Sequence, residues 1–197
     1  MNRPLILASA SRSRSSILTA AGIAFDIVPA DVDEAAVKSD MVSASPEAVA
    51  AALARTKALS VAAGSPRALV IGADQMLECE GRWFDKPTDQ PTARRQLLAL
   101  RGRSHRLISA VAVAFGNRIL WECRDNARLA MRDFSETFID SYLDTAGSAV
   151  LHSVGAYQLE GIGAQLFESV DGDFFTILGL PLLPLLDFLR REGILTS

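Results

Sequence analysis

Two long strand-like runs, residues 107–115 and 118–130, are separated only by Gly116 and Asn117. A two-residue connection of this composition is a hairpin signal, and parallel strands would need a crossover many residues longer. These runs are therefore expected to pair antiparallel. The start of the chain has the opposite character. Leu5-Ile6-Leu7 reads as a strand, followed by a serine-rich turn and a helix through Ile17-Leu18 and Ala20-Ala21 that stops at Gly22, and then by a second strand over 25–28. This βαβ-like opening joined to a hairpin predicts an α/β fold on a mixed sheet.

The remaining punctuation fits that class. Ser45-Pro46 starts a second helix, running to about Ala63. Residues 68–72 form a continuous apolar run ending in Gly72, a strand covered on both faces that delivers Ala73-Asp74-Gln75 at its C-terminal end. Residues 76–84 read as a hairpin turning at Glu80-Gly81, and a helix over 88–100 stops at Gly102. Ser135 caps a helix to Ala146, and a last helix starts with Pro181 and ends at Gly193. Between them, Gly155, Gly161, Gly163, Gly172 and Gly179 mark turns and close backbone approaches.

With 197 residues, 49% of them hydrophobic, the chain can bury a core as one globular unit. Its net charge of -3 offers no broad positive field for nucleic acid. Cys79 and Cys123 have no CxxC spacing and no histidine cluster beside them, and are expected as buried free thiols. The three-residue apolar run near the N-terminus is too short for a signal-peptide core, and no stretch approaches the ~20 apolar residues of a membrane span. The expectation is a cytoplasmic protein bound to neither nucleic acid nor membrane.

Four places could carry chemistry. Residues 9–14, SASRSR, follow a strand and open a helix, so backbone N–H groups, the Ser9 hydroxyl and Arg14 converge on an anion site; serines that merely cap the helix are the plainer alternative. Asp74, after its strand and before Gln75, could ligate Mg²⁺ or accept a proton from water, or be a turn aspartate. Lys57 and Lys86 stand out in a chain that prefers arginine, since lysine suits phosphate oxygens as a compact charge. Glu160, in 157–161 YQLEG, could recognise a base edge or lie in water. His105 and His152 have no Ser-His-Asp or HxxxH context and are expected to be structural.

In this order and spacing the four places resemble the Maf family of nucleoside triphosphate pyrophosphatases, also described as septum-formation inhibitor proteins. LILASASRSRSSIL is similar to the family's opening segment, ADVDE to its acidic segment, and ARTKA, IGADQ and FDKP to the segments holding Lys57, Asp74 and Lys86; LRGRSH and the GAYQLEG and GLPL segments complete the likeness. The resemblance implies one domain over residues 1–197, an elongated mixed sheet flanked by helices as in inosine triphosphatase-like proteins, and two lobes with a central cleft. It implies hydrolysis of a nucleoside triphosphate to the monophosphate and pyrophosphate with Mg²⁺ or Mn²⁺, a homodimer, a house-cleaning role and a role in division arrest. Asp74 would be the proton acceptor, Glu34 and Asp74 the metal ligands, and Ser9, Arg14, Lys57 and Lys86 the groups that neutralise the triphosphate.

Ser13 stands where the family branch acting on dTTP and UTP has an arginine, and Gln75 and Glu160 stand where it has Thr and Gln. Gln75 and Glu160 look more like the branch acting on 7-methyl-GTP, so a guanine-type substrate is expected. The competing reading is a nucleotide-binding regulator of septum formation without turnover, against which Asp74, Lys57 and Lys86 together argue.

Overall fold

The computed structural model describes residues 3–196. In chain order the elements are β1 (Leu5–Leu7), α1 (Arg12–Ala20), β2 (Asp26–Ile27), α2 (Glu34–Asp40), α3 (Pro46–Gly64), β3 (Leu69–Cys79), β4 (Arg82–Phe84), α4 (Gln90–Leu100), β5 (Ser104–Phe115), β6 (Arg118–Met131), α5 (Glu136–Ala146), β7 (Phe167–Asp171), α6 (Phe174–Ile177) and α7 (Leu182–Arg191). Three 3-10 turns lie between α5 and β7. The strands join in a seven-stranded sheet of order β2-β1-β3-β5-β6-β7, with β4 on β3. Strand β1 is parallel to both neighbours, whereas β4 on β3 and β7 on β6 are antiparallel. This is the mixed α/β fold the sequence predicts.

Where the sequence carries caps, the helices begin as expected. Ser11, Ser45 and Ser135 each accept a bond from the third following N–H, at the starts of α1, α3 and α5. Asp89 caps α4, so that helix starts two residues after Thr88. One strand departs from expectation. The apolar run does not end at Gly72; β3 continues through Asp74 and Gln75 to Cys79, merging with the first arm of the expected hairpin. Gly72 is there for space, because a Cβ would collide with the Ala54 carbonyl and stand 2.9 Å from the Ala58 Cβ. Asp74 is consequently a mid-strand residue and not a residue after the strand. Helix α2 and strand β7 lack apolar periodicity, since α2 buries no residue and β7 is almost wholly exposed. Cys79 is a buried free thiol as expected, but Cys123 is only half-buried, because the part of β6 on either side of it alternates between exposed and half-buried side chains.

The chain forms two compact units. The first comprises the residues up to Gln75, Ser109–Asp125 and the chain from Gly179. Its core includes Leu7, Leu18, Leu53, Leu69 and Ile71, each less than 2% exposed. Alanines of α3 bring that helix against β3, and Trp121 of β6 stacks on Phe188 of α7 at 5.2 Å. The second unit comprises Met76–Ile108 and Asn126–Leu178, with a core that includes Leu77, Leu97, Leu107, Leu129, Ile139 and Leu166. Within it, buried His105 meets the Tyr157 hydroxyl at 2.7 Å, and both rings pack against Phe167.

Candidate functional site

The first unit gathers four charges. Lys57, two-thirds of the way along α3, places its Nζ 2.6 Å from Oδ1 of Asp74 on β3 and 2.6 Å from Oε1 of Glu34 at the start of α2. The Lys57 and Asp74 side chains are 10% and 7% exposed, whereas that of Glu34 is 47% exposed. The backbone explains the meeting. The Gly72 contact draws α3 onto β3, so Lys57, three residues beyond Ala54, reaches the strand two residues beyond Gly72. Asp33 caps α2 by accepting from the Ala36 N–H, which fixes Glu34 in the first turn, where a carboxylate is favoured by the helix dipole.

Arg14 on α1 is the second cation. Its Nε donates to the Gly179 carbonyl at 2.8 Å, and its Nη1 donates to the Ala73 carbonyl at 2.9 Å and to the Ser9 hydroxyl oxygen at 3.2 Å. The Ser9 hydroxyl also accepts from the Ser11 N–H. Arg14 therefore ties the turn after β1 and the carbonyl before Asp74 to the segment preceding α7. Gly179 has φ +94°, a conformation that favours glycine, and a Cβ on it would come within 3.3 Å of the guanidinium. Burial lowers the affinity of Arg14 for its proton, and the fields of Asp74 and Glu34 oppose that effect. Burial likewise pushes the Asp74 carboxyl above the ordinary carboxylate value, in the same direction as nearby Glu34 and against Lys57 and Arg14. A carboxylate held in this way is a stronger proton acceptor than an exposed one.

Six of the expected site residues, Ser9, Arg14, Glu34, Lys57, Asp74 and Gln75, lie in this unit. Gln75 is half-buried and donates its amide to the Ser109 hydroxyl at 3.0 Å. Lys86 and Glu160 belong to the second unit. Lys86 is exposed between β4 and α4, beside Asp85, whose carbonyl accepts from Gln96. Glu160 is exposed in the turn between two of the 3-10 segments, and its field adds to burial in raising the Tyr142 phenol to about 12. The Tyr142 hydroxyl donates to the Ala156 carbonyl, holding a backbone whose Gly155 and Ala156 both have positive φ. Ala73, Gly179 and Ser109 are partners of the site that sequence reasoning missed. Two of them act through backbone carbonyls, for which side-chain identity carries no signal.

A divalent cation fits the donor chemistry of this place. Two carboxylate oxygens converge on one point, and the ammonium of Lys57 already stands there as a cation. Among the described residues no group of three or more His, Cys, Asp or Glu side chains is gathered as a metal cage. Two carboxylates would then share the ion with phosphate or water oxygens, as is usual for Mg²⁺.

The chain is similar to known proteins along nearly its whole length. The family model described as Maf-like protein matches residues 4–192. A protein of Paramagnetospirillum magneticum named nucleoside triphosphate pyrophosphatase is 58% identical over 95% of this chain and 98% of its own length. One of the same name from Nitrobacter hamburgensis is 50% identical over 98% of this chain and 96% of its own. A solved structure from Mycobacterium abscessus, described as a nucleoside-triphosphatase and dITP/XTP pyrophosphatase, aligns over 97% of this chain and 95% of its own at 14% identity and a TM-score of 0.41. Among the described residues no helix is long and apolar enough to cross a membrane.

Proposed function

The chain belongs to the Maf-like protein family, and from that premise we propose that it is a hydrolase that converts a nucleoside triphosphate to the monophosphate and pyrophosphate. The observation that carries this reading is the buried Asp74 carboxylate, set against Lys57 at 2.6 Å and raised in proton affinity by burial. Asp74 accepts a proton from a water whose oxygen attacks the α-phosphorus; the new P–O bond forms as the bond to the bridging oxygen of the β-phosphate breaks, and pyrophosphate leaves. The residues have little covalent work to do, so the rate comes from positioning and charge neutralisation. Glu34 and Asp74 would hold a divalent cation, Mg²⁺ or Mn²⁺, which when bound neutralises phosphate charge and acidifies a ligated water. Lys57 neutralises phosphate oxygens, and Lys86 is assigned the same task. Arg14 and Ser9 are bonded to each other and organise the turn after β1, and Arg14 adds its charge.

Gln75 and Glu160 are assigned to the nucleobase. An ionised carboxylate accepts two hydrogen bonds and donates none, which matches the N1–H and exocyclic amine of a guanine edge and favours a cationic 7-methylated ring. The whole chain works as one domain, in the cytoplasm and as a homodimer, clearing modified nucleotides and arresting division.

The decisive experiment incubates the protein with ATP, GTP, 7-methyl-GTP, UTP and dTTP in ¹⁸O-labelled water with Mg²⁺ or Mn²⁺. Pyrophosphate should appear with an unlabelled chain of two phosphates, and the label should enter the monophosphate. Orthophosphate and a nucleoside diphosphate as the only products would overturn the assignment.

A further inference from the structure

The ammonium of Lys57 stands 2.6 Å from an oxygen of each carboxylate assigned to the metal, the spacing of a shared charge-assisted bond. We infer that Lys57 is a displaceable placeholder cation: it closes the Glu34–Asp74 pair to a free divalent ion, and the ion enters with the nucleotide, whose phosphate oxygens take the ammonium over. This inference rests on the proposed pyrophosphatase reading and adds an order of binding to it.

The charges of the site favour such an order. Glu34 and Asp74 contribute two negative charges, Lys57 and Arg14 two positive ones, and Arg14 acts electrostatically on both carboxylates. The formal charges of these four side chains sum to zero. A divalent ion added alone would leave two uncompensated positive charges beside a side chain that is 7% exposed, which is the costly condition for buried ions. The ammonium also engages one oxygen of each carboxylate, Oε1 of Glu34 and Oδ1 of Asp74, so an ion bound between them meets its charge at close range. Lys57 can leave without losing its burial environment only if other anionic oxygens receive it, and a triphosphate supplies them. Its position on α3 is fixed by the Gly72 contact, so the movement is confined to the side chain. Glu34 is the half-exposed member of the pair and offers the route by which water and the ion arrive.

The test has two arms, neither of which reads turnover. In the first, binding of Mn²⁺ without nucleotide is followed by the electron paramagnetic resonance of the free ion, on the full-length wild type, Lys57→Met, and the double variant Lys57→Met with Asp74→Asn. Removing one positive charge from beside the ligand oxygens should tighten Mn²⁺ binding at least about tenfold in Lys57→Met, and the double variant should lose that gain. Equal affinities in wild type and Lys57→Met overturn the inference. In the second arm, which needs no variant, wild-type crystals are soaked in Mn²⁺ alone or with a triphosphate analogue carrying a methylene between the α- and β-phosphorus. Anomalous scattering should show manganese between Glu34 and Asp74 only with the analogue, with Nζ moved to its phosphates. Manganese at that point in the soak without analogue overturns the inference even if Lys57→Met fails to fold. If pyrophosphate is released yet Mn²⁺ binds alone, the placeholder falls and the pyrophosphatase reading stands; if no pyrophosphate is released, the reading falls by its own assay.

Discussion

His105 should make this protein acid-sensitive in a defined window. The ring is 1% exposed, its Nε2 is engaged with Tyr157, and its Nδ1 has no hydrogen-bond partner among the described residues. Burial alone lowers its pKa from the ordinary 6.5 to about 4. A group whose folded pKa is depressed in this cationic sense binds a proton more readily in the unfolded chain. Stability is therefore full above pH 6.5, falls as pH drops through the window from 6.5 to about 4, and levels off below it. The slope is about 1.4 kcal/mol per pH unit, which over this window amounts to roughly 3 kcal/mol, a large share of a typical domain's stability. Urea unfolding of wild type and His105→Gln at pH 7.5, 6.5, 5.5 and 4.5 isolates the effect, because titrating carboxylates contribute equally to both. At pH 7.5 the glutamine variant is expected to be less stable by about 1 kcal/mol, the cost of an imperfect bond to Tyr157. Between pH 6.5 and 4.5 the wild type should lose about 2–3 kcal/mol more than the variant. Parallel pH dependences in the two proteins would refute the reasoning, as would an imidazole resonance of His105 titrating near 6.5.

Three further outcomes follow from the site and its scaffold. Asp74→Asn should lower turnover by at least ~10²-fold with unchanged circular dichroism; the wild-type kcat/KM should fall on the acid side with an apparent pKa above the ordinary carboxylate value, because the ionised form is the acceptor and burial raises its pKa, and that limb should vanish in the variant. Glu160→Gln should reduce the ratio of kcat/KM for 7-methyl-GTP and GTP to that for UTP and dTTP, reflecting about 1–3 kcal/mol for a mismatched polar pair, and an unaltered ratio would remove Glu160 from the nucleobase. Gly72→Ala should push α3 off β3 at a cost of about 1–3 kcal/mol, seen as a melting temperature lower by several degrees, and should impair catalysis even at temperatures where the variant is folded, because Lys57 moves with α3.

The parts legible in the sequence were those with local chemistry. Ser11, Ser45 and Ser135 mark their helices because each cap bond spans three residues. Strands β5 and β6 were visible because a two-residue turn admits one geometry, and Arg14, Lys57 and Asp74 stood out by type, the cations as partners for an anion and the carboxylate for a metal ion or a proton. What could not be read was fixed by distant packing. Gly72 has the appearance of a strand end, and only the approach of Ala54 and Ala58 reveals it as a crossing point inside a longer strand. Helix α2 buries nothing, so no periodicity announces it, although its cap Asp33 was present. The meeting of Glu34, Lys57 and Asp74 around one ammonium is likewise a product of three separate elements. The bond from Arg14 to the carbonyl of Gly179 leaves no trace in either residue's neighbours along the chain.

That last bond sets a clock on biosynthesis. Arg14 and Gly179 are 165 residues apart, which at typical ribosomal rates separates their emergence by roughly 8–33 s. Throughout that interval the guanidinium can reach the Ser9 hydroxyl and, once made, the Ala73 carbonyl, but its Nε lacks the Gly179 carbonyl, so the turn after β1 and the strand bearing Asp74 are not yet tied to the segment preceding α7. Closing so long a loop is also entropically slow. The last anchor of that guanidinium is thus made only after Gly179 has emerged.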